Sequence, residues 1–238
     1  MSGTSRLNPE GLGPIKGYAR RSPQRDGYVT PAGKLPSVTT ILGATSEGKE
    51  QLRQWLARPG AESLSLDART RGTWTHTRIE HWIQGAAPLG FGVPVADLLY
   101  GEYFRNMEPW LEAHFVEALA IERPTWHSAG FSGTFDCVGY AAYGDTPSAL
   151  TLLDWKTAAR ERSGDLLEDY RCQLGAYKAA IAFSYGVTVE RALLVIARPH
   201  THGPDVYELG CAELTHYERE FFHRLERYYS AGKETPDM

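Results

Sequence analysis

Cysteine is scarce: the 238 residues contain three, Cys137, Cys172 and Cys211, far apart and with no C-x-x-C pair. Three thiols cannot complete a four-cysteine zinc or iron–sulfur centre, so the expectation is reduced structural cysteines and no iron–sulfur cluster. Long apolar runs are missing too. No stretch approaches the ~20 residues of a membrane helix, and the N-terminus carries no signal-peptide hydrophobic segment, so the reading is a soluble, cytoplasmic protein with no membrane partner. An excess of positive charge is the third absence. With 25 Lys and Arg against 29 Asp and Glu the formal charge is -4, which excludes the general basic field of a nonspecific nucleic-acid coat protein. Any contact with nucleic acid has to be local.

What is present is an ordinary globular composition, long enough to bury a substantial core. Residues 1–34 are rich in Gly, Pro, Ser and Arg, with Lys16, Arg20, Arg21 and Arg25 close together and no hydrophobic period. They read as a flexible basic arm, either a solvated tail or one that contacts phosphates. Residues 35–238 read as a single domain.

Within that domain Ser37 is placed to cap a short helix, and Glu50 to Ala57 forms a second, stopped by Pro59-Gly60. Arg69 to Trp82 predicts a third helix, with Thr75, Ile79, Trp82 and Ile83 on its buried face and Gly85 as its end. His76 and Glu80 lie one turn apart on that helix, so they share a face and suit a metal site. Pro88 to Pro94 is a loop. Asp97 to Leu119 reads as an amphipathic helix through Leu98, Leu99, Tyr103, Met107, Trp110, Leu111 and Phe115, kinked or broken at Pro109. Further on, Asp165 to Tyr185 is a helix with Tyr170, Gln173 and Tyr177 on one face, and Ala192 to Ala197 a strand buried on both faces. Val206 to Leu214 adds an edge strand. Thr215 to Tyr229 makes a last helix capped by Thr215, and the residues from Gly232 on fray.

The chemistry concentrates in one hairpin. Phe131 to Ala142 and Thr151 to Trp155 have strand character, and Tyr143 to Ser148 between them carries turn residues. Facing residues of an antiparallel pair have a constant index sum, and centring the turn on residue 145 sets Asp136 opposite Asp154. Two carboxylates about 4.5 to 5.5 Å apart at Cβ can hold one divalent cation, and Lys156, two residues on, joins them on the same face. A lone D-x-K is more often an edge-strand charge pair. Here Thr151-Leu152-Leu153 and Trp155 bury Asp154, which needs a cation beside it.

Gly133-Thr134-Phe135-Asp136, Leu153-Asp154-Trp155-Lys156-Thr157 and Gln173-Leu174-Gly175-Ala176-Tyr177 together resemble the PD-(D/E)XK nucleases, in particular their RecB-like exonuclease branch. Leu35 to Leu42 is similar to that branch's P-S-V-T-T segment, and Gly72-Thr73-Trp74-Thr75-His76 to its G-x-x-x-H helix. The resemblance spans most of residues 35 to about 200. Its motifs stand in the family's order.

The resemblance implies an α/β restriction-endonuclease-like core, a mixed central sheet flanked by helices, with an N-terminal helical elaboration. It implies a Mg²⁺-dependent deoxyribonuclease, with Mn²⁺ as substitute, acting on free DNA ends in recombination, repair or replication. His76, Asp136, Asp154 and the Trp155 carbonyl would be metal ligands, Lys156 would position the attacking water, and Glu80 and Glu122 would support the site. Tyr170, Gln173 and Tyr177 would stack and bond a strand whose phosphates Arg160, Arg162 and Arg171 hold. A recombinase or single-strand-binding protein is an expected partner. The alternatives are a DNA-end-binding accessory module with little turnover, a structure-specific endonuclease and a zinc hydrolase, the last disfavoured because no paired-histidine motif is present.

Overall fold

The computed structural model describes residues 4–24, 26–86, 95–161 and 164–232. A five-stranded sheet is built from β4 (Phe115–His127), β5 (Phe131–Tyr143), β6 (Thr146–Thr157), β7 (Arg191–Ala197) and β8 (Asp205–Leu209), in that spatial order. β6 and β7 run parallel and the other neighbours antiparallel, which makes the sheet mixed. A parallel pair needs a crossover, and α5 (Asp165–Tyr185) supplies it between β6 and β7. Because helices cover both faces, β7 is buried at every position, as its R-A-L-L-V-I-A sequence predicts.

The remaining helices are α1 (Val38–Thr45), α2 (Lys49–Leu56), α3 (Ala61–Gln84), α4 (Val95–His114) and α6 (Cys211–Ala231). Two cores result. One, around Phe131, Phe135, Leu152 and Leu194, lies beneath α1, α5 and α6; the other, around Ile79, Met107, Leu153 and Trp155, lies beneath α3 and α4. Ser37 caps α1, its hydroxyl accepting from the Thr40 N–H at 3.1 Å. The β5–β6 register follows the expected centre at residue 145, from Cys137 opposite Leu153 to Ala141 opposite Ala149. A bulge before Tyr143 then tightens the turn.

Several expectations are corrected. Residues from Phe115 to Leu119 are strand, because Phe115 and Ala118 pair with Ala141 and Gly139 of β5. Gly139 permits that approach: a Cβ there would lie 2.2 Å from the Glu117 carbonyl oxygen. Pro109 does not break α4, while Leu98 and Leu99 are exposed at its start. α6 begins at Cys211, with Glu213 accepting from the Gly210 N–H at 3.2 Å; Thr215 bonds back to Cys211 O and caps nothing.

The described part of residues 1–34 is docked rather than free. Asn8 N–H bonds to Ala118 O and Lys16 N–H to Ser184 O, and β1 (Arg20–Arg21), β2 (Tyr28–Thr30) and β3 (Gly33–Leu35) form a small sheet. Leu12, Ala19, Tyr28 and Leu35 are buried. The Pro88 to Pro94 loop, Arg25, Arg162 and the tail beyond Gly232 lie outside the described residues. Among the described residues no helix is long and apolar enough to cross a membrane.

Candidate active site

The sheet forks where the hairpin acids lie. β5 pairs with β6 only from Cys137 onward, and its earlier residues pair with β4 alone; Asp154 to Thr157 of β6 pair with β7. At the branch point Asp136 takes over from the missing ladder bond, its Oδ2 accepting from the Trp155 N–H at 2.8 Å. Phe135 packs into the core under α5 and Cys137 into the core under α3 and α4, so side-chain alternation breaks at Asp136. Glu122 faces it on β4, between the Ile121–Cys137 and Arg123–Phe135 pairs, and has a φ of 48° in mid-strand. That left-handed backbone is costly for a residue with a Cβ and marks a place where structure imposes geometry. The break tips the Glu122 and Asp136 carboxylates toward α3.

α3 contributes His76. Two polar contacts set its register on β6: Arg71 Nε donates to Thr157 Oγ1 at 3.2 Å, and His76 Nε2 to the Trp155 carbonyl at 2.8 Å. Five residues of helix and two of strand each span about 7 Å, so both contacts are made at once. The other ring nitrogen, Nδ1, lies 3.3 Å from Glu122 Oε1 and 3.7 Å from Asp136 Oδ1. Acceptors on both sides favour the imidazolium form. Burial opposes its charge, but Asp136 and the Glu122 hydrogen bond outweigh burial and push the His76 pKa up to about 9.

Ligand atoms of His76, Glu122 and Asp136 lie within 4.8 Å of one another. One nitrogen and two carboxylates, with the Trp155 carbonyl beside them, suit a hard divalent cation such as Mg²⁺ or Mn²⁺. The donor set and its spacing therefore fit a metal ion.

Asp154 is not within that cluster. It is 1% exposed and held from two sides, Oδ1 by Gln173 Nε2 at 3.0 Å and Oδ2 by the Lys156 ammonium. Burial is the largest influence on Asp154 and raises its pKa against the pull of Lys156. For Lys156 burial works the other way, and Asp154 and Asp136 together overcome it and raise its pKa. The Lys156 ammonium also lies 5.3 Å from the centre of the Tyr170 ring.

Other expected positions fall elsewhere. Glu80 accepts from Gln84 on its own helix, because the α3 face that carries His76 meets β4 and β6 a turn earlier. Arg171 leans on Tyr217 of α6, its guanidinium 5.9 Å from the ring. Arg160 is exposed in the loop after β6. Tyr177 is 3% exposed and Gln173 8%, so neither offers a face on which a base can stack. Cys137 and Cys172 lie in different cores, and Cys211 is exposed. Arg71 was missed by sequence reading, where it is one arginine among three; Asp67 on its own helix and Thr157 on β6 are its partners, and only the second ties it to the sheet.

No protein-family profile matches the chain, and no curated protein matches it. Among solved structures, a protein of Eubacterium rectale provisionally named an exonuclease shares the fold, with a TM-score of 0.53 and 12% identity over 84% of this chain and 82% of that one. SSO0001, at a TM-score of 0.37 and 12% identity over 79% of this chain and 74% of that one, is too remote for comparison.

Proposed function

We propose that the chain is a metal-dependent nuclease of the PD-(D/E)XK type that hydrolyses phosphodiester bonds in DNA, working from free ends. One observation carries the reading: at the fork of a mixed sheet, His76, Glu122 and Asp136 converge beside the Trp155 carbonyl, next to the buried Asp154 and its partner Lys156. The name given to the Eubacterium rectale protein of the same fold agrees with it.

A bound Mg²⁺ would supply charge neutralisation for the phosphate and a more acidic water. His76, Glu122, Asp136 and the Trp155 carbonyl would hold it, with Asp154 at the border. To ligate, His76 gives up one of its two ring protons and releases Glu122. The Lys156 ammonium lies beside both acids, where it orients a water for attack or meets charge growing on a phosphate oxygen. Trp155 and Leu153, buried behind the acids, keep bulk water away from that side.

The test of the end preference uses closed circular and linear forms of one single-stranded DNA with Mg²⁺. Linear DNA is degraded and the circle persists if the reading holds. Equal loss of both makes the protein an endonuclease.

A further inference from the structure

The α5 face formed by Tyr170, Gln173 and Tyr177 turns inward, and each residue meets a different part of the fork. Gln173 donates its amide Nε2 to Asp154 Oδ1 at 3.0 Å. A carboxylate accepts only, so the amide must present its nitrogen there. One turn earlier, the Tyr170 ring lies 5.3 Å from the Lys156 ammonium that pairs with the opposite Asp154 oxygen. One turn later, Tyr177 lies against the β5 backbone at Gly133, where a Cβ would be 2.7 Å from the ring and 3.0 Å from the hydroxyl. Positions 170, 173 and 177 form one helical stripe, and its three contacts are an ammonium, a carboxylate and a strand backbone.

We infer that this stripe positions the Asp154–Lys156 pair and that Gln173 is a positioning residue rather than a substrate contact. A carboxylate held at one oxygen turns about its last bond, whereas contacts at both oxygens fix its plane. Gln173 fixes Oδ1 and Lys156 holds Oδ2, so the plane of the carboxylate beside the metal-holding residues is set. Tyr170 limits where the ammonium moves when it leaves Oδ2. Tyr177 holds β5 at a set distance from α5, and so holds Asp136 relative to Asp154. Residues that orient a metal ligand in this way typically change metal affinity or activity by about 10- to 100-fold when replaced.

The kinetic part of this inference rests on the nuclease reading; the metal part does not depend on turnover. Gln173→Met keeps the length and bulk of the side chain and removes the donor. In the full chain without DNA, calorimetric titration with Mn²⁺ is expected to show affinity at least about tenfold weaker than wild type. On end-labelled linear DNA kcat falls while KM stays within about twofold. Gln173→Asn, whose amide is one methylene too short to reach Asp154, is expected to give the same pattern and serves if the Met variant does not fold. Unchanged Mn²⁺ affinity overturns the inference, whether KM rises, as for a substrate contact, or nothing changes, as for a packing residue. If wild type binds Mn²⁺ but cleaves no DNA, the nuclease reading fails and the titration still decides. If wild type binds no Mn²⁺, both fail together.

Discussion

Replacing Glu122 with glycine should give a more stable metal-free protein than replacing it with alanine, the reverse of the usual order within a strand. Glu122 has a φ of 48° between two regular β4–β5 pairs, and a residue with a Cβ carries about 1–2 kcal/mol of strain in that region. Alanine keeps the strain and glycine removes it. Against this, the freedom of glycine in the unfolded chain costs about 0.5–1 kcal/mol relative to alanine. Both variants lose the 3.3 Å contact to His76, so that loss cancels between them. The balance favours glycine by roughly 0.5–1 kcal/mol, which in a chain of this size corresponds to about 1–4 °C in Tm. Differential scanning calorimetry in EDTA measures it. Mn²⁺ titration should show both variants weakened about tenfold or more, since the carboxylate is gone either way. An alanine variant that melts above the glycine variant would mean ordinary extended backbone at Glu122, and the account of how the fork aims its acids would be wrong.

His76 gives two pH dependences of opposite sign. Its ring must lose a proton to ligate, so Mg²⁺ affinity measured without DNA should rise about tenfold per pH unit and level off above a pH of about 9. In EDTA its folded pKa lies above the unfolded value of 6.5, so its contribution to stability is complete below pH 6.5 and is lost as pH rises through about 9; denaturant melts of wild type and His76→Asn check this. Lys156→Met leaves Asp154 buried without its cation; burial already raises its pKa with Lys156 present, so the carboxyl takes up a proton on folding, and the metal-free variant should lose stability that grows with pH toward about 3–5 kcal/mol, most of it recovered in the Asp154→Asn/Lys156→Met double variant. Gly175→Ala places a Cβ 2.4 Å from the backbone of Tyr217 and Glu218, and pushing α5 from α6 should lower stability by about 1–3 kcal/mol in urea titrations.

The hairpin was legible because alternation and turn residues fix one register, and α5 because its apolar period runs unbroken between Gly164 and Gly186. The stretch after His114 was not. Phe-Val-Glu-Ala-Leu-Ala satisfies either period, and only pairing with β5 selects the strand. Residues 1–34 looked like an arm because few of their side chains are apolar, spaced among Gly and Pro; backbone bonds to Ala118 and Ser184 hold the described part of them, and these leave no trace in composition. At the site, spacing alone put Glu80 beside His76. The neighbour is instead Glu122, forty-six residues away in sequence and opposite Asp136 in the sheet. Tyr177 and Gln173 read as a contact surface because polarity and aromaticity do not reveal which way a helix face turns.

The central claim is that the carboxylates at the fork hold a divalent ion that drives DNA hydrolysis. Release of label from end-labelled linear DNA, by wild type and by Asp136→Asn, in Mg²⁺ and in EDTA, tests it most directly. Wild type should release label in Mg²⁺ and none in EDTA, and Asp136→Asn, confirmed folded by circular dichroism, should release none in either. Cleavage that persists in EDTA, or that survives in the Asp136→Asn protein at the wild-type rate, would contradict it.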